Sequence, residues 1–313
     1  MRLGTKNGAL VKGRFDLPGG VREVEVLVET GGRSARVDGK PVRDPDQLFG
    51  GLATVAFTPV DLAVVKGGPE GRRRLLDRAV QNRHPAHLAD AREYLRALRS
   101  RNQLLRQRAQ PDLLASFNEP LARLGARLRQ RREEVLSEIR PQAEKAFAEV
   151  ARGEAPLRVA YLAAGRDSDG LEEAGPSLAE RLLEALRRRL PRDEERGYTS
   201  VGPHADDLGL FLGERPARFY ASQGQARAAV LAFKIGEIEN LRAAQGRAPL
   251  LLLDDVSSEL DPERNAFLMA YLGALAGQVV LTTTDPQPVA KSAAKDALVH
   301  RVSACAITAA DPS

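Results

Sequence analysis

Several residue types and patterns are missing from this 313-residue sequence, and each absence excludes a class of protein. One cysteine, Cys305, and four histidines exclude a disulfide framework and a Cys/His zinc site of the usual spacing. No run of about 18 apolar residues occurs, which predicts that no helix crosses a membrane. The N-terminus shows no charged-then-apolar leader. We therefore expect a soluble, cytoplasmic protein that is not exported.

The phosphate-binding loop G-x-x-x-x-G-K-[ST] is also missing from these residues. Gly39-Lys40 is followed by Pro41, which has no amide N–H to offer a phosphate. Lys291-Ser292 has no glycines before it. Neither pattern can surround a phosphate with backbone N–H groups.

Positive charge exceeds negative charge, with 47 Lys and Arg against 42 Asp and Glu and a pI near 9.5. The net charge of +5 suggests a polyanionic partner such as nucleic acid. A second explanation is a GC-rich genome, which favours arginine over lysine and enriches alanine. The length and the 43% hydrophobic content allow about two domains with a substantial core.

The most informative stretch runs from Pro249 to Asp261, with the sequence PLLLLDDVSSELD. Its four consecutive leucines have neither helical nor alternating period, which predicts a parallel strand buried on both faces. Asp254 and Asp255 follow at the carboxyl end of that strand, where open α/β sheets bind ligands. Adjacent carboxylates point to opposite sides, so one can reach a metal ion while the other faces a water. This is the Walker B pattern of ATPases, although a core strand before an acidic helix cap has the same pattern.

Two neighbouring motifs favour the ATPase interpretation. Residues 258–261 (SELD) resemble the D-loop that follows Walker B in ABC-type ATPases. Upstream, residues 220–225 (YASQGQ) begin a predicted helix whose first turn Ser222 can cap, while Gly224 lets a ligand approach the backbone. The S-x-G-Q sequence lies one helix before Walker B, as the signature motif does in ABC-type heads.

A third stretch makes the resemblance specific to one family. Residues 59–77 (PVDLAVVKGGPEGRRRLLD) match in order a signature of the RecF family of bacterial recombinational-repair proteins, which are ABC-type ATPases related to SMC proteins. The block GYTSVGPHADDLGLFL from Gly197 is similar to another RecF-family block, which usually has arginine where Ala205 stands. From these blocks the chain is identified as a member of the family over nearly its whole length. His204, next to Ala205, is expected to be structural rather than catalytic.

The resemblance implies an α/β fold, namely an ABC-type (P-loop NTPase) head in two sequence segments with an inserted helical arm. Residues 1–78 are expected to form the first, β-rich part of the head without a Walker A motif. Residues 79–196 are expected to form the arm, and residues 197–313 the second part of the head, with signature motif, Walker B and D-loop. The prolines at 111, 141, 156 and 176 are expected to separate the helices of the arm.

The resemblance also implies a nucleotide site that uses ATP and Mg²⁺. Asp254 is expected to hold Mg²⁺ through water, and Asp255 to polarise the attacking water. The signature residues are expected to contact the γ-phosphate of ATP held by a second copy, in a homodimer with the nucleotide between the heads. These residues are Ser222, Gln223, Gly224 and Gln225.

Further residues are expected to complete the dimer and to bind DNA. Ser258 and Asp261 of the D-loop are expected at the dimer interface, and Arg72 and Arg73 are the candidate DNA contacts. Many ABC-type ATPases have a γ-phosphate-sensing histidine after the next strand, where this sequence has Thr284 and Asp285.

The family resemblance implies a role in DNA replication, recombinational repair and the SOS response to DNA damage. An ATP-dependent dimer is expected to bind single-stranded or gapped DNA and, with RecO and RecR, to help load the RecA recombinase. Two alternatives stay open: a DNA-binding protein with a degenerate, ATP-independent head, and an SMC-like structural protein that only dimerises. The missing phosphate loop predicts negligible ATPase activity for these residues alone, and a misassigned or truncated start at Met1 is one expected explanation.

Overall fold

The computed structural model describes residues 8–17, 19–42, 52–151, 154–164, 176–284, 297–303 and 306–310. The strands are β1 (Ala9–Leu17), β2 (Gly20–Glu29), β3 (Gly32–Val37), β4 (Lys40–Val42), β5 (Thr54–Phe57), β6 (Leu157–Leu162), β7 (Asp207–Leu212), β8 (Arg215–Pro216), β9 (Leu250–Asp254), β10 (Val279–Thr282), β11 (Val299–Ser303) and β12 (Ala306–Ala310). The helices are α1 (Pro59–Leu62), α2 (Pro69–Arg83), α3 (Ala86–Arg106), α4 (Pro111–Ala115), α5 (Asn118–Val150), α6 (Leu178–Arg188), α7 (Leu190–Arg196), α8 (Ala217–Tyr220), α9 (Gln223–Gln245), α10 (Val256–Glu259) and α11 (Pro262–Ala274). No described helix combines the length and apolarity needed to span a bilayer.

The first four strands form an antiparallel meander in the order β1-β2-β3-β4. The tight turn between β3 and β4 places Asp38 at φ 51° and Gly39 at φ 75°. Two successive left-handed residues are what a two-residue hairpin turn requires, and Asp-Gly supplies them at little cost. The β-structure expected of this part of the chain therefore takes the form of consecutive hairpins.

The central parallel sheet has the order β10-β9-β5, with the leucine-rich strand in the middle. Leu251 and Leu253 are fully buried in the core, but Leu252 is 37% exposed. The prediction that this strand is buried on both faces is therefore wrong for the described residues. Successive side chains alternate between the two faces, and the described elements cover only the face of Leu251 and Leu253.

Helix α9 is the centre of the head core, and its most extensive contact among the described elements is with α5. Side chains around most of the circumference of α9 are buried. At the crossing, a Cβ on Gly236 would lie 2.9 Å from the carbonyl oxygen of Ile139 and 3.0 Å from the backbone nitrogen of Ala143. A glycine is needed here because the two helix backbones approach closely.

The segment 79–196 differs from the predicted helical arm. Strand β6 lies within it and pairs antiparallel with β7, in a sheet of order β6-β7-β8. Pro141 does not end a helix but lies inside α5. The second half of α5 packs in the head core, so this half and β6 are parts of the head.

The segment after β5 departs from the β-rich structure expected of residues 1–78. Residues 59–62 form the short helix α1 instead. Thr58 and Asp61 form a capping box, in which each side chain bonds the other residue's backbone N–H, and Pro59 occupies the first turn. The arginine-rich stretch after Gly68 forms α2.

Buried ion pairs join the arm helices to the head. Arg129 of α5 donates two hydrogen bonds, of 2.8 and 2.7 Å, to the carboxylate of Asp206 before β7. Arg132, one turn later, donates two bonds of 2.7 and 2.9 Å to Asp77 of α2. His87 of α3 also contacts Asp77, with 3.0 Å between its Nε2 and the carboxylate Oδ1. Helices α2, α3 and α5 therefore meet at a single carboxylate.

The pairing of Asp77 predicts a pH-dependent contribution to stability. Burial alone would raise the pKa of Asp77, but the hydrogen bond from His87 and the charge of Arg132 lower it to about 2. A carboxylate with a lowered pKa stabilises the fold above its unfolded pKa of about 4 and loses that contribution as the pH falls through about 2. We expect Asp77→Asn to lower the free energy of unfolding by about 2 kcal/mol at pH 6, and by almost nothing near pH 2.

Urea unfolding of both proteins across this pH range measures the difference. The exposed Asp16 of β1 serves as the control, since Asp16→Asn changes the same charge without an ion pair among the described residues. A difference between wild type and Asp77→Asn that stays constant with pH would contradict the prediction.

Candidate nucleotide site

Asp254 ends β9 with an exposed side chain at the carboxyl edge of the parallel sheet. Its Oδ1 accepts a hydrogen bond of 2.8 Å from the Oγ1 of Thr282, which ends the neighbouring strand β10. The backbone N–H of Asp255 donates to the carbonyl oxygen of Thr282 at 3.0 Å, so the two strand ends are joined. Thr282 was not predicted from the sequence, although a hydroxyl at the end of the adjacent strand was a usable signal.

The carboxylate of Asp254 fits a magnesium ion. No group of three or more His, Cys, Asp or Glu side chains that could hold a metal occurs in the described part of the chain. Mg²⁺ commonly takes only one or two carboxylates and completes its shell with water and phosphate oxygens. One exposed carboxylate beside a hydroxyl therefore supplies the ligands that a protein usually contributes to such a site.

Asp255 has a strained backbone and a carboxylate oxygen without a partner. Its φ of 48° lies in the left-handed region, which residues other than glycine adopt at a cost. Its Oδ1 is buried and has no hydrogen-bond partner among the described residues. Ser258 donates from its Oγ to the carbonyl oxygen of Asp255 at 2.8 Å, which helps to hold this conformation. An unpaired buried carboxylate oxygen costs free energy and can accept a hydrogen bond from a water.

The signature residues lie at the start of α9, where Ser222 is the N-cap. The Oγ of Ser222 accepts from the backbone N–H of Gln225 at 3.1 Å, and the Oε1 of Gln225 accepts from the N–H of Ser222 at 2.7 Å. The N–H groups of Gln223 and Gly224 belong to the first turn, which has no intrahelical acceptors. Together with the dipole of this 23-residue helix, they form an environment that favours an anion.

Two arginines join the start of α9 to the segment after Walker B. Arg227 donates from Nη1 to the carbonyl oxygen of Glu259 and from Nη2 to its carboxylate, both at 2.5 Å. Arg264 lies over Gly224, where a Cβ would come within 2.8 Å of its Nη1. Arg264 also bonds to Asp261, the N-cap of α11, and lies 3.4 Å from the carboxylate of Glu154. The signature motif and the D-loop are thus brought together, through two arginines that sequence reasoning missed.

The predicted DNA contact at Arg72 is not available, because the side chain is only 4% exposed. Its Nε and Nη2 donate to the carboxylate of Asp207 at 2.9 and 2.8 Å, and its Nη1 donates to the carbonyl oxygen of Gly67 at 2.8 Å. The half-buried Arg73 donates to the carbonyl oxygen of Asp206 at 2.8 Å. Both arginines therefore attach α2 to the start of β7, Arg72 as a buried side chain and Arg73 as a partly exposed one.

The surroundings of His204 agree with a structural role. Its Nδ1 lies 2.7 Å from the Tyr94 hydroxyl, and its Nε2 lies 2.9 Å from the carbonyl oxygen of Thr199. Burial lowers the pKa of His204, which favours the neutral ring. Ala205 is exposed, so the arginine found there in relatives would project from the surface. Thr284 is exposed after β10, and Asp285 lies outside the described residues.

Curated relatives cover most of the chain. It is 55% identical over 303 residues to the DNA replication and repair protein RecF of Anaeromyxobacter sp. (strain Fw109-5), which covers 96% of this chain and 81% of the relative. The RecF of Myxococcus xanthus (strain DK1622) is 54% identical over 293 residues, covering 93% and 77%. No protein-family model matches the chain.

Solved structures agree with these relatives. A structure described as the recombination mediator protein RecF-ATP in the RecFOR pathway is 27% identical, with a TM-score of 0.83 over 98% of this chain and 81% of that chain. The SMC head domain of Pyrococcus yayanosii, with coiled coil and joint, is 11% identical with a TM-score of 0.51, which shows a shared fold alone. These similarities confirm the predicted ABC-type head.

Proposed function

Because the chain belongs to the RecF family of DNA replication and repair proteins, we propose that it binds DNA as a dimer whose heads close over ATP. The observation that carries this proposal is the start of α9. There the N–H groups of Gln223 and Gly224 have no partner among the described residues, and Arg227 and Arg264 fix this helix start to the D-loop. This arrangement suits the γ-phosphate of an ATP molecule that is bound by a second copy of the protein. Solved relatives described as RecF bound to ATP support the choice of ligand.

Within one head, we assign separate tasks to the two Walker B carboxylates. Asp254 would hold Mg²⁺, which would supply positive charge beside the phosphates. Asp255 accepts a hydrogen bond from the attacking water through its unpaired Oδ1, with its position fixed by Thr282 and Ser258. Asp261 lies in the D-loop at the interface with the partner.

The proposed partners follow from the family. The ligands are single-stranded or gapped DNA, and the mediators are RecO and RecR, with RecA acting downstream. The solved relatives described as members of the RecFOR pathway support the two mediators. We place this activity in the cytoplasm, where chromosomal DNA of bacteria is found.

The test pairs the chain with a relative that we propose carries the phosphate loop absent from these residues. We expect the labelled chain, mixed with RecF of Anaeromyxobacter sp. (strain Fw109-5) and MgATP, to form a heterodimer that sedimentation velocity resolves. Gly224→Asp should abolish it, because a carboxylate at the helix N-terminus repels the phosphate and displaces Arg264. Gly68→Asp is the matched control, since it adds the same charge at an N-cap with nothing within 4 Å of its Cβ.

Two outcomes of this experiment would contradict the proposal. One is a sedimenting mass that does not respond to ATP, which the SMC-like structural alternative expects. The other is an ATP-dependent heterodimer that Gly224→Asp leaves intact, since the signature motif would then not contact the nucleotide. DNA binding that falls with salt but ignores ATP would favour the ATP-independent alternative.

A further inference from the structure

Lys66 lies in the turn between α1 and α2, and its side chain reaches the start of α9. Its Nζ donates a hydrogen bond to the carbonyl oxygen of Ala221, the residue immediately before the N-cap Ser222. Lys66 is exposed, whereas Val64 and Val65 before it are buried. The fold therefore holds an exposed ammonium group next to the first turn of α9.

The backbone on both sides of Lys66 is fixed by the buried guanidinium of Arg72. The Nη1 of Arg72 donates to the carbonyl oxygens of Val65 at 3.1 Å and of Gly67 at 2.8 Å. The carboxylate of Asp207 in turn holds Arg72. Because the turn is already ordered, binding a ligand through Lys66 costs little backbone entropy.

No described carboxylate forms an ion pair with Lys66, whose only bond is to the carbonyl of Ala221. The acidic side chains within residues 59–77 are Asp61, Glu70 and Asp77. Each of them pairs with an arginine instead. The positive charge of the lysine is therefore not neutralised by the acids of its own segment.

The two arginines at the start of α9 are, in contrast, engaged with carboxylates. Arg227 pairs with Glu259. Arg264 pairs with Asp261 and also contacts Glu154. These arginines therefore bring no net positive charge to the helix start, and the nearby lysine supplies it.

We propose that Lys66 contacts the terminal phosphate of a nucleoside triphosphate held by a second copy, an inference that rests on the proposed function. A lysine ammonium is a compact charge with three N–H donors. One of them bonds Ala221, so the others are available to phosphate oxygens. The N–H groups of Gln223 and Gly224 would meet the same phosphate, so that a full charge adds to the helix dipole.

The experiment uses the heterodimer of the labelled chain with RecF of Anaeromyxobacter sp. (strain Fw109-5). Lys66→Gln removes the charge but keeps an N–H donor, whereas Lys66→Arg keeps the charge. The matched control is Lys145→Gln, because Lys145 is an exposed lysine on α5 without an ion pair among the described residues. Sedimentation velocity measures the dissociation constant of each heterodimer with MgATP and with MgADP.

With MgATP, we expect Lys66→Gln to weaken the heterodimer by about 10- to 100-fold, the usual effect of losing a hydrogen bond to a charged group. Lys66→Arg should keep most of the affinity, and Lys145→Gln should match the wild type. With MgADP the terminal phosphate is missing, so the wild type and Lys66→Gln should associate equally weakly. Thermal unfolding of the four proteins checks that these exposed substitutions leave the fold intact.

The other outcomes contradict the inference in distinguishable ways. If the wild-type chain forms no ATP-dependent heterodimer, the proposed function is contradicted and the role of Lys66 with it. If Lys66→Gln forms the ATP-dependent heterodimer as tightly as the wild type, the function stands but Lys66 does not contact the phosphate. An equal loss in Lys66→Arg and Lys66→Gln would show that the charge is not required. A loss in Lys66→Gln that is as large with MgADP would show a structural role in the turn.

Discussion

Arg101→Met is expected to lower the free energy of unfolding by about 3–5 kcal/mol, because it removes one partner of a fully buried ion pair. The side chains of Arg101 and Asp193 are both 0% exposed, with 3.1 Å between Nη1 and Oδ2. Arg101 also donates to the Oγ1 of Thr199 at 2.6 Å and to the Oδ1 of Asn118 at 3.1 Å. Without the guanidinium, the Asp193 carboxylate stays buried with an uncompensated charge.

A double-mutant cycle tests the origin of this loss. Adding Asp193→Leu to Arg101→Met removes the stranded charge, and we expect the double variant to be more stable than Arg101→Met alone. Urea denaturation of the wild type, both single variants and the double variant gives the four free energies. Losses that simply add would show that the two side chains do not interact.

Gly236→Leu is expected to destabilise the head by about 3 kcal/mol, at the upper end of the cost of overpacking. Even a Cβ at this position meets backbone atoms of α5 at 2.9 and 3.0 Å, and backbone cannot turn away as a flexible side chain can. The two helices would have to separate along the main contact of the core. Loss of that contact should also displace the start of α9, where the signature residues lie.

The control for this substitution is Gly71→Leu in α2. A Cβ on Gly71 meets only one atom within 4 Å, the Cγ2 of Val64 at 3.5 Å, which is ordinary contact. Leucine also favours a helix over glycine by several tenths of a kcal/mol. We expect Gly71→Leu to stay within about 1 kcal/mol of the wild type in thermal and urea unfolding. Equal losses at both glycines would contradict the close approach of α5 and α9.

The candidate site was partly predictable because local rules determine part of it. A run of leucines before two aspartates predicts a strand end with carboxylates, and Asp254 and Asp255 lie there. Serine three residues before glutamine predicts a capping box, which Ser222 and Gln225 form. Thr282 and Arg264 were not predicted, because their contacts join segments that no local pattern connects.

The roles of the arginines were harder to predict than the elements that carry them. Whether an arginine faces solvent depends on which acidic residues the fold places beside it. Arg72 pairs with Asp207, which lies 135 positions further along the chain. Within the arginine-dense run from 123 to 140, Arg129 and Arg132 are buried in ion pairs with Asp206 and Asp77.

Helix α5 belongs to two hydrophobic cores at once, so it connects the packing of the arm rigidly to the packing of the head. Leu121, Leu124 and Leu128 pack in the arm, whereas Val135, Ile139 and Phe147 pack in the head. From Asn118 to its crossing with α9 the helix extends over about 32 Å, so a tilt of roughly 5° at one end moves the other by about 3 Å. A tilt of α5 at its arm end therefore moves α9, the helix that begins with the signature residues. A displacement of the arm would therefore shift the start of α9 relative to the rest of the head.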